Sequence, residues 1–255
     1  MNKVLAIGLN TFKESIRDKI FYSLLFFAVI LILFSIVLGK LTIGDPIKII
    51  KDFGLGAISI GGTLIAIFVG IGMVYKEMEK RTIYIILSKP LARWQFLMGK
   101  YLGLSLTILV EVAVMTILLF ALCFVYEKIM PWSLLTAIVP IYIEILVILA
   151  FAVFFSAFSS PFLSGMFTLA IFIIGHFTQD LRLLAKASED TVFKALADGA
   201  YYILPNLERL NYKTRVVHDL VIPGQELGLS FVYAVSYIAV VLITAVFIFE
   251  NKDIS

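Results

Sequence analysis

The sequence predicts an all-α membrane protein with six transmembrane helices, and three observations carry that prediction. Apolar residues make up 61% of the 255-residue chain and charged residues only 15%, against about 45–50% and about 25% in soluble domains. Six stretches, 20–39, 54–75, 101–126, 132–160, 161–179 and 227–249, are uncharged or nearly so. Each is long enough to cross a hydrocarbon core of about 30 Å, which takes about 20 helical residues, and a helix satisfies its own backbone polar groups in lipid.

Before the first span, Leu5, Leu9, Phe12 and Ile16 recur at helical spacing, with Lys3, Lys13, Glu14, Arg17 and Asp18 mostly off that stripe. Residues 1–19 therefore read as an interfacial amphipathic helix lying on the membrane. A short soluble helix is the alternative. The first apolar run begins only at Ile20, is too long for a signal core and lacks a small-x-small pattern after it, so no cleavable signal is expected. Between the fourth and fifth runs only Ser159-Ser160-Pro161 intervenes. A tight turn there gives six spans; without it the count is five.

Orientation follows from the basic residues. With the N-terminus inside, Lys3, Lys13, Arg17, Lys19, Lys76, Lys80, Arg81, Lys89, Arg93, Lys100 and Lys252 fall on the cytoplasmic side. Outside the long segment 180–226, which is a weak determinant, only Lys40, Lys48, Lys51 and Lys128 oppose them. Both termini are expected in the cytoplasm.

Two polar segments are large enough for specific work. The first, 76–100, reads as a cytoplasmic helical hairpin between spans two and three. Glu77, Glu79, Lys80 and Arg81 crowd its start, Ile83, Ile86 and Leu87 form an apolar patch, and Ser88-Lys89-Pro90 breaks the helix. A short second helix bearing Arg93 and Trp94 runs into Gly99. Such a hairpin suits docking on a cytosolic protein; a solvated, positively charged connection explains it equally well. The second segment, 180–226, is expected to hold short external helices. Ser188 is the expected N-cap, with Glu189 and Asp190 in the first turn and Val192, Leu196, Ala200 and Ile203 along one face. It reads as a cap over an exit path or a dock for a periplasmic or extracellular partner, or as a plain connector.

Glu111 and Glu144 fall near the middle of spans three and four. An intramembrane carboxylate is costly unless paired or hydrated, which makes both functional candidates; packing glue, with a protonated Glu bonded to a neighbouring helix, is the competing account. Gly61, Gly62, Gly70 and Gly72 permit close approach or bending in span two. Gly99 and Gly103 form a GxxxG pattern common by chance in apolar helices. The Phe151, Phe154, Phe155, Phe158 stripe reads as packing or lipid-facing surface. Cys123, the one cysteine, excludes an intrachain disulfide and CxxC chemistry. His176 and Asp180 can meet on one helix, but one His and one Asp make no metal site. Ser164 and His176 supply the residue types of an intramembrane serine protease without a distinctive motif. The net charge of +3 gives no case for nucleic acid.

The string Glu77-x-Glu79-x-Arg81-Thr82, Leu87-Ser88-Lys89-Pro90, Arg93 and Gly99-Lys100 resembles the signature of type-2 ABC exporter permeases. The nearest branch is that of the copper-enzyme (nitrous oxide reductase) maturation transporter. Glu14, Arg17 and Lys19 before span one, and the ending Phe247-x-Phe249-Glu250-x-Lys252-Asp253, extend the similarity over nearly the whole chain. It implies one permease domain, 1–255, in the cell (inner) membrane, paired with a second permease copy on two cytosolic ABC ATPases. The hairpin would be the coupling element, with Glu77, Glu79, Arg81, Thr82, Ile83, Ile86, Leu87, Lys89, Pro90 and Arg93 at the ATPase interface. No cofactor is expected in this chain, ATP and Mg²⁺ belonging to the ATPase. Gly39-Lys40-Leu41 and Gly99-Lys100-Tyr101 both lack the hydroxyl and upstream glycine of a phosphate-binding loop. The chain is therefore expected not to be an enzyme. Two rival functions are a proton-coupled secondary transporter using Glu111 and Glu144, which the absence of an obvious internal repeat disfavours, and a structural membrane anchor.

Overall fold

Helix α1 (Lys3–Ile16) leads into α2 (Lys19–Leu41) through a tight connection in which the Asp18 carboxylate accepts a hydrogen bond from the Ile20 amide at 2.9 Å. This architecture comes from a computed structural model that describes residues 3–79, 92–188 and 190–251. Among them, six helices are long and apolar enough to cross a membrane. α3 (Pro46–Glu79) and α4 (Arg93–Glu127) flank residues 80–91. α5 (Leu135–Ser156) and α6 (Pro161–Ala187) form the next antiparallel pair, and α9 (Gly224–Asn251) ends the bundle. The face carrying α1 is called near, the opposite one far.

α3 begins with Pro46 at its first position, where the missing N–H costs nothing. The sequence reading placed this span's start at residue 54 because Lys48, Lys51 and Asp52 precede it. The helix runs through them, since Lys48 pairs with Asp45 at 3.1 Å and Lys51 with Glu127 of α4 at 2.7 Å. Likewise, the expected separate helix around Arg93 and Trp94 is the first turn of α4, continuous with its span. α4 stops at Lys128, which takes the left-handed conformation (φ 59°) and closes the last turn through its N–H to the Phe124 carbonyl at 2.9 Å.

The expected break between the fourth and fifth runs is present. α5 ends at Ser156, and Ser160 caps α6 by accepting from the Leu163 amide at 3.5 Å, with Pro161 at the helix start. Ser159 Oγ meanwhile accepts or donates to Ser164 Oγ at 2.7 Å.

α3 and α5 are the enclosed helices: 78% and 72% of their apolar windows are buried, against 22–33% for the other four. α3 packs on α2, α4 and α5, and α5 on α6 and α9. In lipid the hydrophobic effect does not drive helices together, so close packing must. Gly61 and Gly62 of α3 supply it. A Cβ on Gly61 would stand 2.8 Å from Ala28 Cβ of α2, and one on Gly62 would collide with Ile145 Cδ1 of α5.

The far-face connection differs from its expected form. Ser188 ends α6, and Asp190 caps α7 (Thr191–Ile203), its carboxylate accepting from Val192 N at 2.8 Å. Val192 and Ile203 of the expected apolar face are exposed, and Ala197 is buried. The deeper part follows: a 3₁₀ turn at Leu207–Leu210 and α8 (Lys213–Val217), where Leu207, Leu210, Val216 and Val217 are buried against the bundle. Gly175 of α6 makes room, since a Cβ there would lie 2.8 Å from Leu207 Cγ.

Candidate functional site

The sequence's expected coupling segment is approached by two rods. α3 has 34 residues and α4 35, or roughly 50 Å each at 1.5 Å per residue, well beyond a hydrocarbon core of about 30 Å. Both therefore reach past the apolar layer. Glu77 and Glu79 lie in the last turn of α3. Arg81, Thr82, Ile83, Ile86, Leu87, Lys89 and Pro90 lie outside the described residues. Arg93 opens α4 and turns toward α9: its Nη1 donates to the Phe249 carbonyl at 3.0 Å and the Glu250 carbonyl at 2.9 Å. A cation on the last carbonyls of a helix satisfies orphan acceptors and complements the helix dipole. The stacked Phe96 and Phe249 rings reinforce that junction.

On its other side, the base of α4 is held by α1. The buried face of α1 is Gly8, Thr11 and Ser15, while Leu5 and Leu9 point outward. Gly8 meets the Gly99–Gly103 pair. A Cβ on Gly103 would run into the Gly8 carbonyl oxygen and stand 2.6 Å from Thr11 Cβ; one on Gly99 would stand 2.7 Å from Ile7 Cβ. The GxxxG pattern is thus a helix crossing, while of the apolar stripe Leu5 and Leu9 are exposed and Phe12 and Ile16 half-buried, an arrangement compatible with an interfacial helix.

Glu111 and Glu144 are fully buried and do not meet. The Glu111 carboxyl lies over the Gly61–Gly62 step of α3, its oxygens 3.2 and 3.1 Å from where the two Cβ atoms would be. Neither oxygen has a hydrogen-bond partner. Glu144 instead faces His176 of α6, with Nε2 3.3 Å from Oε1. Both Glu144 oxygens lack an aligned hydrogen bond, so this is a close polar contact rather than a linear bond. His176 Nδ1 lies 3.0 Å from the Phe172 carbonyl, which can only accept. That fixes a proton on Nδ1 and leaves Nε2 and Oε1 facing each other across one proton. The expected His176–Asp180 meeting is replaced by this contact between spans. Ser164 and His176 are 12 residues apart on one helix, about 18 Å, so they form no catalytic pair. Phe151, Phe154, Phe155 and Phe158 pack ring on ring, joined by Phe167. Among the described residues no cluster of His, Cys, Asp and Glu could hold a metal.

A six-helix bundle, with two helices longer than a bilayer core flanking residues 80–91, is the architecture that a family comparison can test. The family model for ABC-2 family transporter proteins matches residues 36–254. The chain belongs to the ABC-2 transporter family. No curated protein matches it. The ABC-2 match makes this a membrane transport component and an ABC permease subunit. It covers both rods, the hairpin and the far-face segment, and starts inside α2, so α1 lies outside it.

Three features of this ABC-2 permease escaped the sequence. The Glu144–His176 contact was within reach, because an antiparallel pair folded at Ser159–Pro161 puts both residues within about one helical turn of the same depth. Lys213 Nζ donating to Ser59 Oγ at 3.3 Å, from α8 to α3, had no local signal. Neither had Asn206, buried with both side-chain polar atoms unpartnered.

Proposed function

We propose that this ABC-2 permease works as the membrane-spanning half of an ATP-driven exporter or force transmitter, with ATP and Mg²⁺ held by a separate cytosolic ATPase. Two ATPases would sit beneath two permease chains, the second a copy of this one or a related permease, in the cell (inner) membrane with both termini cytoplasmic. The motif string Glu77 to Lys100 favours the branch of the nitrous oxide reductase maturation transporter.

The observation that carries this reading is the construction around residues 80–91. The segment joins two rods that cross the bilayer, and the α4 rod is clamped at its base by α1 through Gly99 and Gly103 and by α9 through Arg93. A push on the hairpin would therefore move α3 and α4 as stiff bodies and carry α1 and α9 with them. A loose polar connector would need none of these attachments.

The test is Leu87→Asp. Charged residues at an interface rim steer association, whereas a central apolar patch supplies most of the binding energy. An unpaired carboxylate in that patch costs about 2–5 kcal/mol, so ATPase co-purification falls well over tenfold. Glu79→Lys weakens assembly less and in a salt-sensitive way. Full ATPase association and full coupled activity in Leu87→Asp would reduce the hairpin to a connector and overturn the mechanism.

Proton-coupled transport through Glu111 and Glu144 is the second reading, favoured only by their burial without aligned partners. The Glu111 carboxyl lies over α3 and Glu144 faces α6, which weighs for separate packing roles.

A further inference from the structure

At the far end of the bundle, α6, α7, the 3₁₀ turn and α9 enclose a cleft of about 400 Å³. Its walls are unusually consistent in chemistry. Tyr201 and Tyr202 come from the end of α7, Tyr233 and Tyr237 from α9. Arg182 of α6 stacks 4.1 Å above the Tyr201 ring, and Arg209 lies 5.0 Å above the Tyr233 ring. Each guanidinium thus sits over an aromatic face, within cation–π distance.

The two arginines are not equivalent. Arg182 donates to Asp198 Oδ1 at 3.1 Å and to the Tyr202 hydroxyl at 3.1 Å, so its charge is balanced. Among the described residues no carboxylate pairs with Arg209, and its neighbour Glu208 accepts instead from Asn211 Nδ2 at 3.1 Å. Within those residues its positive charge is uncompensated. Beside it, Asn206 lines the cleft, 3% exposed, with Nδ2 and Oδ1 both unbonded. Its backbone N–H donates to the Tyr233 hydroxyl at 2.7 Å, which holds that phenol at the cleft wall. Buried amides in folded proteins are rarely left unpaired, and an exception calls for a missing partner.

We propose that this cleft is a binding site for a singly charged phosphodiester-type anion. Arg209 supplies the balancing charge, and Asn206 Nδ2 and the Tyr233 hydroxyl donate to the phosphate oxygens. Guanidinium on phosphate is a charge-assisted contact with matched geometry. Two sources present this chemistry: a phospholipid headgroup at the membrane surface, where Tyr and Arg concentrate, and a soluble phosphate compound. The site is separate from the near-face hairpin and stands whether or not an ATPase docks there.

The experiment titrates the purified full chain in detergent with phosphatidylglycerol, read by native mass spectrometry, and separately with sn-glycero-3-phosphoglycerol, a soluble phosphodiester monoanion, read by calorimetry. Arg209 is exposed, so Arg209→Gln leaves the fold intact and should weaken binding about tenfold or more. Asn206→Leu should weaken it similarly while leaving ligand-free thermal stability unchanged or higher, because it removes an unsatisfied amide. Lys194→Gln, an exposed charge on α7 outside the cleft, should bind as the parent does. Binding of phosphatidylglycerol alone assigns a lipid, and binding of the soluble probe assigns a free phosphate compound. The proposal is overturned if the parent binds neither probe, if Arg209→Gln binds as the parent does, or if Lys194→Gln loses as much as Arg209→Gln.

Discussion

Glu111 shows what a single residue contributes here. Its carboxyl fits over two glycines at the meeting of α2, α3, α4 and α5 and makes no hydrogen bond. Gln has almost the same shape and no charge, so Glu111→Gln should fold and transport like the parent if the role is packing. Gly61→Val should be far worse, because the added atoms meet Ala28 and the Glu111 carboxyl together. Overpacking of this kind costs about 1–3 kcal/mol. Thermal denaturation in detergent measures both, and loss of a pH-dependent, ATP-independent flux in Glu111→Gln would revive the proton-coupled reading. The Glu144–His176 contact behaves differently, since removing one partner strands the other in a dry site. His176→Leu should lose about 1–3 kcal/mol. Adding Glu144→Leu to it should restore stability, and a double-mutant cycle reads the coupling. Simple additivity of the two losses would mean the groups do not interact.

Among the elements, α1 decides most. The sequence showed an apolar stripe with charges beside it, and of that stripe Leu5 and Leu9 are exposed. The docking face is small and polar, Gly8, Thr11 and Ser15, which no hydrophobicity pattern marks. Backbones that approach this closely tolerate nothing beyond a hydrogen at Gly103. Gly103→Leu should therefore detach α1 from α4, lowering thermal stability by about 1–3 kcal/mol and exposing α1 to limited proteolysis. An unchanged digestion pattern would show that α1 is held by other means. α7 makes the opposite point. The face Val192 to Ile203 looked like the docking surface, yet both of those residues are exposed. The contacts with the bundle fall instead on Leu207, Leu210, Val216 and Val217. In short turns like these no helical period can build up, so no pattern marks their buried residues in advance.

For the whole molecule, the topology proposed from basic residues makes a direct prediction. In a Cys123→Ser background, Lys89→Cys should label only from the cytosol and Asp198→Cys only from outside. Labelling of both from one side would refute the six-span, N-inside arrangement. Cys123 is buried, so its removal should matter little.

The sequence by itself determined the all-helical class and the span count. These follow from local quantities: apolar run length against bilayer thickness and a proline-marked turn at Ser160-Pro161. It did not determine where helices begin once charges find partners, as Lys51 does with Glu127 and Arg93 with the α9 carbonyls. Nor did it decide which glycines are contacts, that Glu144 faces His176 while Glu111 faces none, or that two arginines and four tyrosines from distant segments close one cleft. Those are pair properties. In a bundle whose spans are nearly all apolar, every face satisfies the membrane equally well. Only the fit of one helix against another chooses which residues turn inward, and that fit exists only in three dimensions.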